Sequence, residues 1–297
     1  MTVVAALADP VSNTAILVAD SRVTALKSGE HWDVCQKVAW LGNEGVFGFA
    51  GPVGPAGEVS RRITRTYRER GTDWLTSRDD VLAFLEEIDV PGKAEVAFVA
   101  AFRNRGHVRI ARFSADGEYE IKSVRTVAIG TGSEAAGAVG ERYVDLLNFG
   151  GAGQTGIALA QRALLYAEWI TQEARKTGIT SVGGLMQVYL IDSERVMALP
   201  YHRWVDVASG YGTYVTMDFD GEGAWVQAHE GTGLRVPLRH PAESDFMGAA
   251  GSTGTTFELE TRLTPESPGV EPRPMAVTLY QLFRDASGQP LVRTTPT

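Results

Sequence analysis

The chain opens MTVVAALADPVSNTAILVADSRVT (residues 1–24), with a threonine directly after the initiator methionine, where the next residues already read as a buried strand. A terminus ordinarily frays because it has little to bury. Here residues 2–8 and 14–19 are two short runs rich in Val, Ile and Ala around Asp9-Pro10-Val11-Ser12-Asn13. Pro and Asn are turn formers, so the pair reads as an antiparallel hairpin. A second hairpin follows at residues 35–41 and 46–50, joined through Gly42-Asn43-Glu44-Gly45, whose Gly and Asn tolerate positive φ.

Outward from these four strands the pattern alternates. Residues 57–70 are dense in Arg and Glu, and at 77–88 Val81, Leu82, Phe84, Leu85 and Ile88 recur at helical spacing behind Ser77 as N-cap and Asp79 and Asp80 in the first turn. Residues 96–102 are almost wholly apolar, as in a strand buried on both faces, and Val108 and Ile110 alternate with Arg109. Residues 126–129 lead through Gly130-Thr131-Gly132 into a helix over 133–148. The glycines at 150–153 break it before a second helix over 155–176, whose Ile157, Ala160, Ala163, Leu164, Ala167, Ile170 and Ala174 form one stripe. Residues 185–191 and 196–199 close the region as another hairpin.

Strands, two helices, strands, two helices, strands is the order expected of an α+β fold in which two antiparallel sheets pack face to face, each covered by a helix pair: a four-layer αββα sandwich. This part spans 1–203. Beyond it, over 204–297, the texture changes to period-two runs at 215–219, 234–238 and 257–263 between Gly-rich turns, which predicts a small β-rich C-terminal extension. Residues 241–256 read as a flexible link, and four prolines within 265–274 exclude a central strand there.

Composition narrows the chemistry. In 297 residues the net charge is −8 and no dense Lys/Arg run occurs, which argues against nucleic acid or an anionic membrane surface as partner. Cys35 is the single cysteine, so neither an internal disulfide nor a cysteine zinc cluster forms, and the five histidines show no ligand spacing. Without a basic-then-apolar leader or a run of about eighteen apolar residues, an intracellular, cytoplasmic location is expected. Gly151-Ala152-Gly153-Gln154-Thr155-Gly156 matches a dinucleotide fingerprint in letters but follows a helix, so the phosphate-cradling geometry fails.

Methionine removal is favoured when the second residue is small, and it would give Thr2 a free α-amine beside its own hydroxyl. An α-amine with a pKa of about 8 can accept that proton near neutrality. Such a nucleophile needs a cation nearby, a carboxylate to hold the cation and donors for an oxyanion. Asp20 at the end of the strand facing Thr2, Lys37 on the next strand and Gly48 beyond it supply candidates in that order.

With these residues in place the chain resembles a proteasome β-type subunit of the N-terminal-nucleophile (Ntn) hydrolase class, including the bacterial ATP-dependent protease subunits. The likeness spans about residues 2–199 and rests on MTVV, VADSRVT (18–24), QKVAWL (36–41), GVFGFAG (45–51), AIGTGS (128–133) and VGGLMQVYLI (182–191). The resemblance implies a threonine endopeptidase: Thr2 as nucleophile, Lys37 as tuning cation, Asp20 as its carboxylate, Gly48 N–H at the oxyanion, and Thr131 hydrogen-bonded to the Thr2 amine. Ser21, Val46 and Phe49 would shape the substrate pocket. It also implies no metal or organic cofactor, a peptide or unfolded-protein substrate, and a homo-oligomeric ring or spiral with an ATPase regulator. Ile179 and Val182 stand where the family carries an Asp and a Ser. The alternatives are an inactive proteasome-like scaffold or binding subunit and an Ntn amidohydrolase acting on a small amide.

Overall fold

The computed structural model describes residues 2–24, 31–32, 35–122, 125–147, 156–179, 181–183, 185–199, 201–206, 212–220, 223–228, 235–238, 240, 283–284 and 290–292. The opening hairpin forms as its sequence dictates, from β1 (Val4–Asp9) and β2 (Thr14–Asp20). Asp9 caps its turn by accepting the Val11 N–H at 3.0 Å and the Ser12 hydroxyl at 2.6 Å, while Asn13 takes the left-handed conformation at φ 51°. The Asn13 amide then reaches a neighbouring hairpin, donating to Gly106 O and accepting from Val108 N–H, both at 2.9 Å.

The remaining strands of the first half are β3 (Val23–Thr24), β4 (His31–Trp32), β5 (Val38–Leu41), β6 (Gly45–Ala50), β7 (Ala97–Asn104), β8 (His107–Ser114), β9 (Tyr119–Lys122) and β10 (Arg125–Ile129). After them come β11 (Met186–Ile191) and β12 (Val196–Leu199). The helices are α1 (Val53–Arg70), α2 (Arg78–Glu87), α3 (Ser133–Leu147) and α4 (Gly156–Lys176). Two five-stranded antiparallel sheets result, ordered β10-β1-β2-β11-β12 and β5-β6-β7-β8-β9. The chain is therefore a mixed α+β protein built on two antiparallel sheets.

Strand periodicity sorts the core. Along β1 and β2, Val3, Ala5, Leu7, Ile16 and Val18 join a cluster with α3 and α4, while Val4, Ala6, Ala8, Ala15, Leu17 and Ala19 face a cluster shared with the second sheet. Both strands are thus buried on both faces. The outer face of the second sheet carries Phe47, Phe49, Phe98, Phe102 and Phe113, which pack with Ala56, Val59 and Ile63 of α1 and with Val81, Phe84 and Leu85 of α2. Phe98 and Phe113 stack with centroids 5.4 Å apart.

Local differences from the sequence reading have local causes. Helix α1 begins at Val53 rather than 57, because Pro52 and Pro55 fall at the helix entry, where a missing N–H is harmless. Helix α2 is capped by Ser77, which accepts the Asp80 N–H at 3.2 Å. Residues 35–37 do not extend β5. Cys35 N–H donates to Ser21 O at 3.1 Å and Lys37 N–H to the Gln187 side chain at 3.0 Å, so these N–H groups are satisfied outside the β5–β6 ladder.

Past β12 a four-stranded antiparallel sheet follows: β13 (Tyr201–Asp206), β14 (Gly212–Asp220), β15 (Gly223–Ala228) and β16 (Arg235–Leu238). A short pair, β17 (Phe283–Arg284) and β18 (Pro290–Val292), comes later. The link at 241–256, the strand at 257–263 and the proline-rich stretch lie outside the described residues. His240, just after β16, is buried edge-on against Phe49 of β6, with ring centroids 5.7 Å apart and planes at 85°. Burial, reinforced by the positive charge of Arg61, pulls its imidazole down to about 4 from 6.5.

Because the folded imidazole binds a proton less tightly than the unfolded one, its contribution to stability is complete above pH 6.5 and is lost as pH falls toward 4. The loss at the low end is about 3 kcal/mol. Thermal melts across this window should fall more steeply for the wild type than for His240→Phe; parallel slopes would show that the imidazole titrates as in the unfolded chain.

Candidate active site

The first strand pairing brings the amino end of the chain to Asp20, whose N–H donates to Val3 O at 3.2 Å. The Asp20 carboxylate is the hub. Its Oδ1 accepts the Val3 N–H at 3.0 Å, Lys37 Nζ at 2.7 Å and the Thr2 hydroxyl; its Oδ2 accepts the Gly183 N–H at 3.3 Å. Lys37 comes from the chain entering the other sheet, so the pair closes the seam where the two sheets meet.

Lys37 Nζ donates to three acceptors: Asp20 Oδ1, Thr2 Oγ1 and the Arg22 carbonyl. An ammonium has three protons, and all three are used. Thr2 Oγ1 accepts from Lys37 and turns its own proton to Asp20. Thr2 is only 3% exposed, Lys37 1% and Asp20 0%. A cation held this close to a hydroxyl favours its ionised form, and in a dry site the effect is far stronger than in water.

Thr131 stands next to this group, but on another atom than expected. Its hydroxyl is 3.3 Å from the Thr2 carbonyl, which also accepts the Gly132 N–H at 3.2 Å, so the turn grips the carbonyl rather than the amine. Gly130, at φ +87°, is required here, since a Cβ would lie 2.2 Å from Thr2 O. Ser181 Oγ sits 3.0 Å from Thr131 Oγ1. Val182 is buried in the helix-side core and Ile179 packs against it, so the positions at which the resemblance implies an Asp and a Ser are apolar and inward.

Gly48 is placed differently as well. Phe49 N–H donates to Lys37 O at 3.2 Å, and N–H groups alternate sides along an antiparallel strand. The Gly48 N–H therefore faces β7, where Val99 is its partner in register, and the N–H on the Lys37 side belongs to Phe49. What Gly48 provides is space: a Cβ there would lie 2.7 Å from Val4 Cγ1 across the inter-sheet seam.

The three expected pocket residues are packed instead of offered to a substrate. Ser21 is fully buried and its Oγ accepts the Leu185 N–H at 3.0 Å. Val46 lies in the inter-sheet core, whereas Phe49 lies under α1 beside His240. A spacing of three along a strand puts Val46 and Phe49 on opposite faces, so they cannot line one pocket.

Sequence reasoning missed Gln187. Fully buried in β11, it accepts the Lys37 N–H at 3.0 Å and donates to Cys35 O at 2.9 Å and Asp20 O at 3.3 Å. Its signal was an amide standing alone in the apolar run MQVYLI.

No family model matches the sequence, and no curated protein matches it. Among solved structures the chain is similar to the eukaryotic HslV from Trypanosoma brucei, at a TM-score of 0.48 and 17% identity over 64% of this chain and 99% of that one.

Breaking a buried pair strands the surviving charge, at about 3–5 kcal/mol. Lys37→Met should therefore lower the melting temperature by about 10 °C. The double variant Asp20→Asn, Lys37→Met should recover part of that loss. Purely additive losses in the double variant would mean that the two side chains are not energetically coupled.

Proposed function

We propose that this chain is a threonine peptidase of the proteasome β-subunit kind, folded as a four-layer αββα Ntn-hydrolase sandwich over 1–203 with a β-rich extension over 204–297. Thr2 is its nucleophile once Met1 is removed. The observation that carries the reading is the Lys37 ammonium in contact with both Thr2 Oγ1 and the Asp20 carboxylate in a buried site. Neither an isolated threonine nor a surface lysine explains three buried polar side chains converging from two sheets.

In the proposed reaction the freed α-amine takes the Thr2 hydroxyl proton while Lys37 stabilises the developing alkoxide, which attacks the peptide carbonyl. The charge that develops is met by the Lys37 ammonium, which already donates to Thr2 Oγ1 in the resting site. Collapse expels the amine half of the substrate, protonated by the Thr2 ammonium, and leaves an ester on Thr2. A water activated by the same amine releases the acyl group and restores the enzyme. No step calls on a metal or organic cofactor.

An unregulated peptidase would damage its cell, so the reading extends to a cytoplasmic homo-oligomer, ring or spiral, that encloses its sites, with an ATPase regulator delivering unfolded protein. A second reading, an inactive scaffold of the same fold, is favoured by the inward, apolar Ile179 and Val182 and by the hold of Thr131 on the Thr2 carbonyl.

Intact mass of the purified protein, together with hydrolysis of fluorogenic peptides, separates the two. The peptidase reading expects a mass short by one methionine and, for Thr2→Ala, a loss of turnover of at least about a thousandfold. Retained Met1 with no hydrolysis selects the scaffold, and undiminished turnover in Thr2→Ala moves the nucleophile elsewhere.

A further inference from the structure

Lys37 reaches Thr2 only if its backbone is fixed, and the ladder does not fix it on both sides. Residues 35–37 precede β5, and of the Lys37 peptide groups only the carbonyl meets β6, through Phe49 N–H. The N–H is held by a side chain from the other sheet, Gln187 Oε1 at 3.0 Å.

The same amide donates both Nε2 protons, to Cys35 O at 2.9 Å and to Asp20 O at 3.3 Å. Its orientation follows from its partners, because the oxygen must face the lone N–H and the nitrogen the two carbonyls. Gln187 thus ties the backbone of Lys37 directly to the backbone of Asp20, the two residues whose side chains pair over Thr2. Nothing else described makes a side-chain bridge between those two backbones.

We propose that Gln187 is a positioning residue, which sets the reach of Lys37 so that its ammonium meets the Thr2 hydroxyl. A four-carbon side chain anchored on a wandering backbone would spread its charge over several ångströms, and a misplacement of about 1 Å at a reacting group costs about a hundredfold in rate. The kinetic consequence rests on the peptidase reading. The locking of residues 35–37 does not.

The test compares wild type with Gln187→Leu, which keeps the bulk but loses all three hydrogen bonds, and with Gln187→Glu. A buried carboxyl facing two carbonyls stays protonated, so Gln187→Glu keeps one donor and one acceptor. Gln187→Leu should lower kcat about a hundredfold with KM within about threefold. Its pH–activity profile should also shift, because the ammonium no longer sits on the Thr2 hydroxyl that must give up its proton. Gln187→Glu should recover to within about tenfold of wild type. An unchanged kcat and pH profile in Gln187→Leu would overturn the proposal while leaving the peptidase reading standing.

A second arm needs no turnover. The buried Cys35 thiol, labelled in the native state well below the melting temperature, reports opening of residues 35–37. Its labelling should be at least about tenfold faster in Gln187→Leu and closer to wild type in Gln187→Glu. Equal labelling in all three proteins would show that Gln187 locks nothing, even if the wild type proves to have no peptidase activity.

Discussion

One buried charge contact organises the amino end of this protein: Lys37 against Asp20 at 2.7 Å, with the Thr2 hydroxyl hydrogen-bonded to both. Two ions removed from water are costly unless every proton and lone pair is answered. The surrounding chain supplies the answers. The N–H groups of Val3 and Gly183 meet the carboxylate, the Arg22 carbonyl takes the third lysine proton, and Gln187 pins the backbones on either side. Structure around the pair is arranged to make its burial tolerable, and that arrangement places a hydroxyl under a cation.

The two sheets make the contact possible. Thr2 and Asp20 come from one sheet and Lys37 from the entrance to the other, so the sheets must approach closely where the site lies. Small side chains on the facing surfaces, among them Ala6, Ala19, Ala50 and Ala101, and the absence of a side chain at Gly48 allow that approach. At the opposite end the Asn13 amide ties the β1–β2 turn to the β7–β8 hairpin, fixing the sheets at a second point. The Gly130–Gly132 turn then fixes the Thr2 carbonyl, leaving the threonine little freedom.

Much of this was legible in the sequence. Alternating apolar runs about turn residues fixed the opening hairpins, and the stripe of α4 announced its buried face. Thr2, Asp20 and Lys37 could be named because a threonine behind a removable methionine needs a carboxylate and a cation to act as a nucleophile, and these two stand in that order on the strands that follow. The phase of the ladders was not legible. Whether Gly48 or Phe49 turns its N–H toward Lys37 depends on hydrogen-bond register, which one residue of hairpin loop reverses. The pocket assignments for Val46 and Phe49 failed for a reason that was readable, since residues three apart on a strand face opposite ways. Gln187 was visible as a polar letter, but its partners come from segments about 150 residues away, and that distance hid its purpose.

The proposed chemistry needs a liberated Thr2 amine and its hydroxyl to act together beside Lys37. A peptide epoxyketone reacts with both groups to form a ring, so tandem mass spectrometry of the treated protein reads the claim directly. A single adduct is expected, joined through both the nitrogen and the oxygen of a chain that begins at Thr2. A chain that begins at Thr2 and takes no adduct, or an adduct on any other residue, would contradict that chemistry.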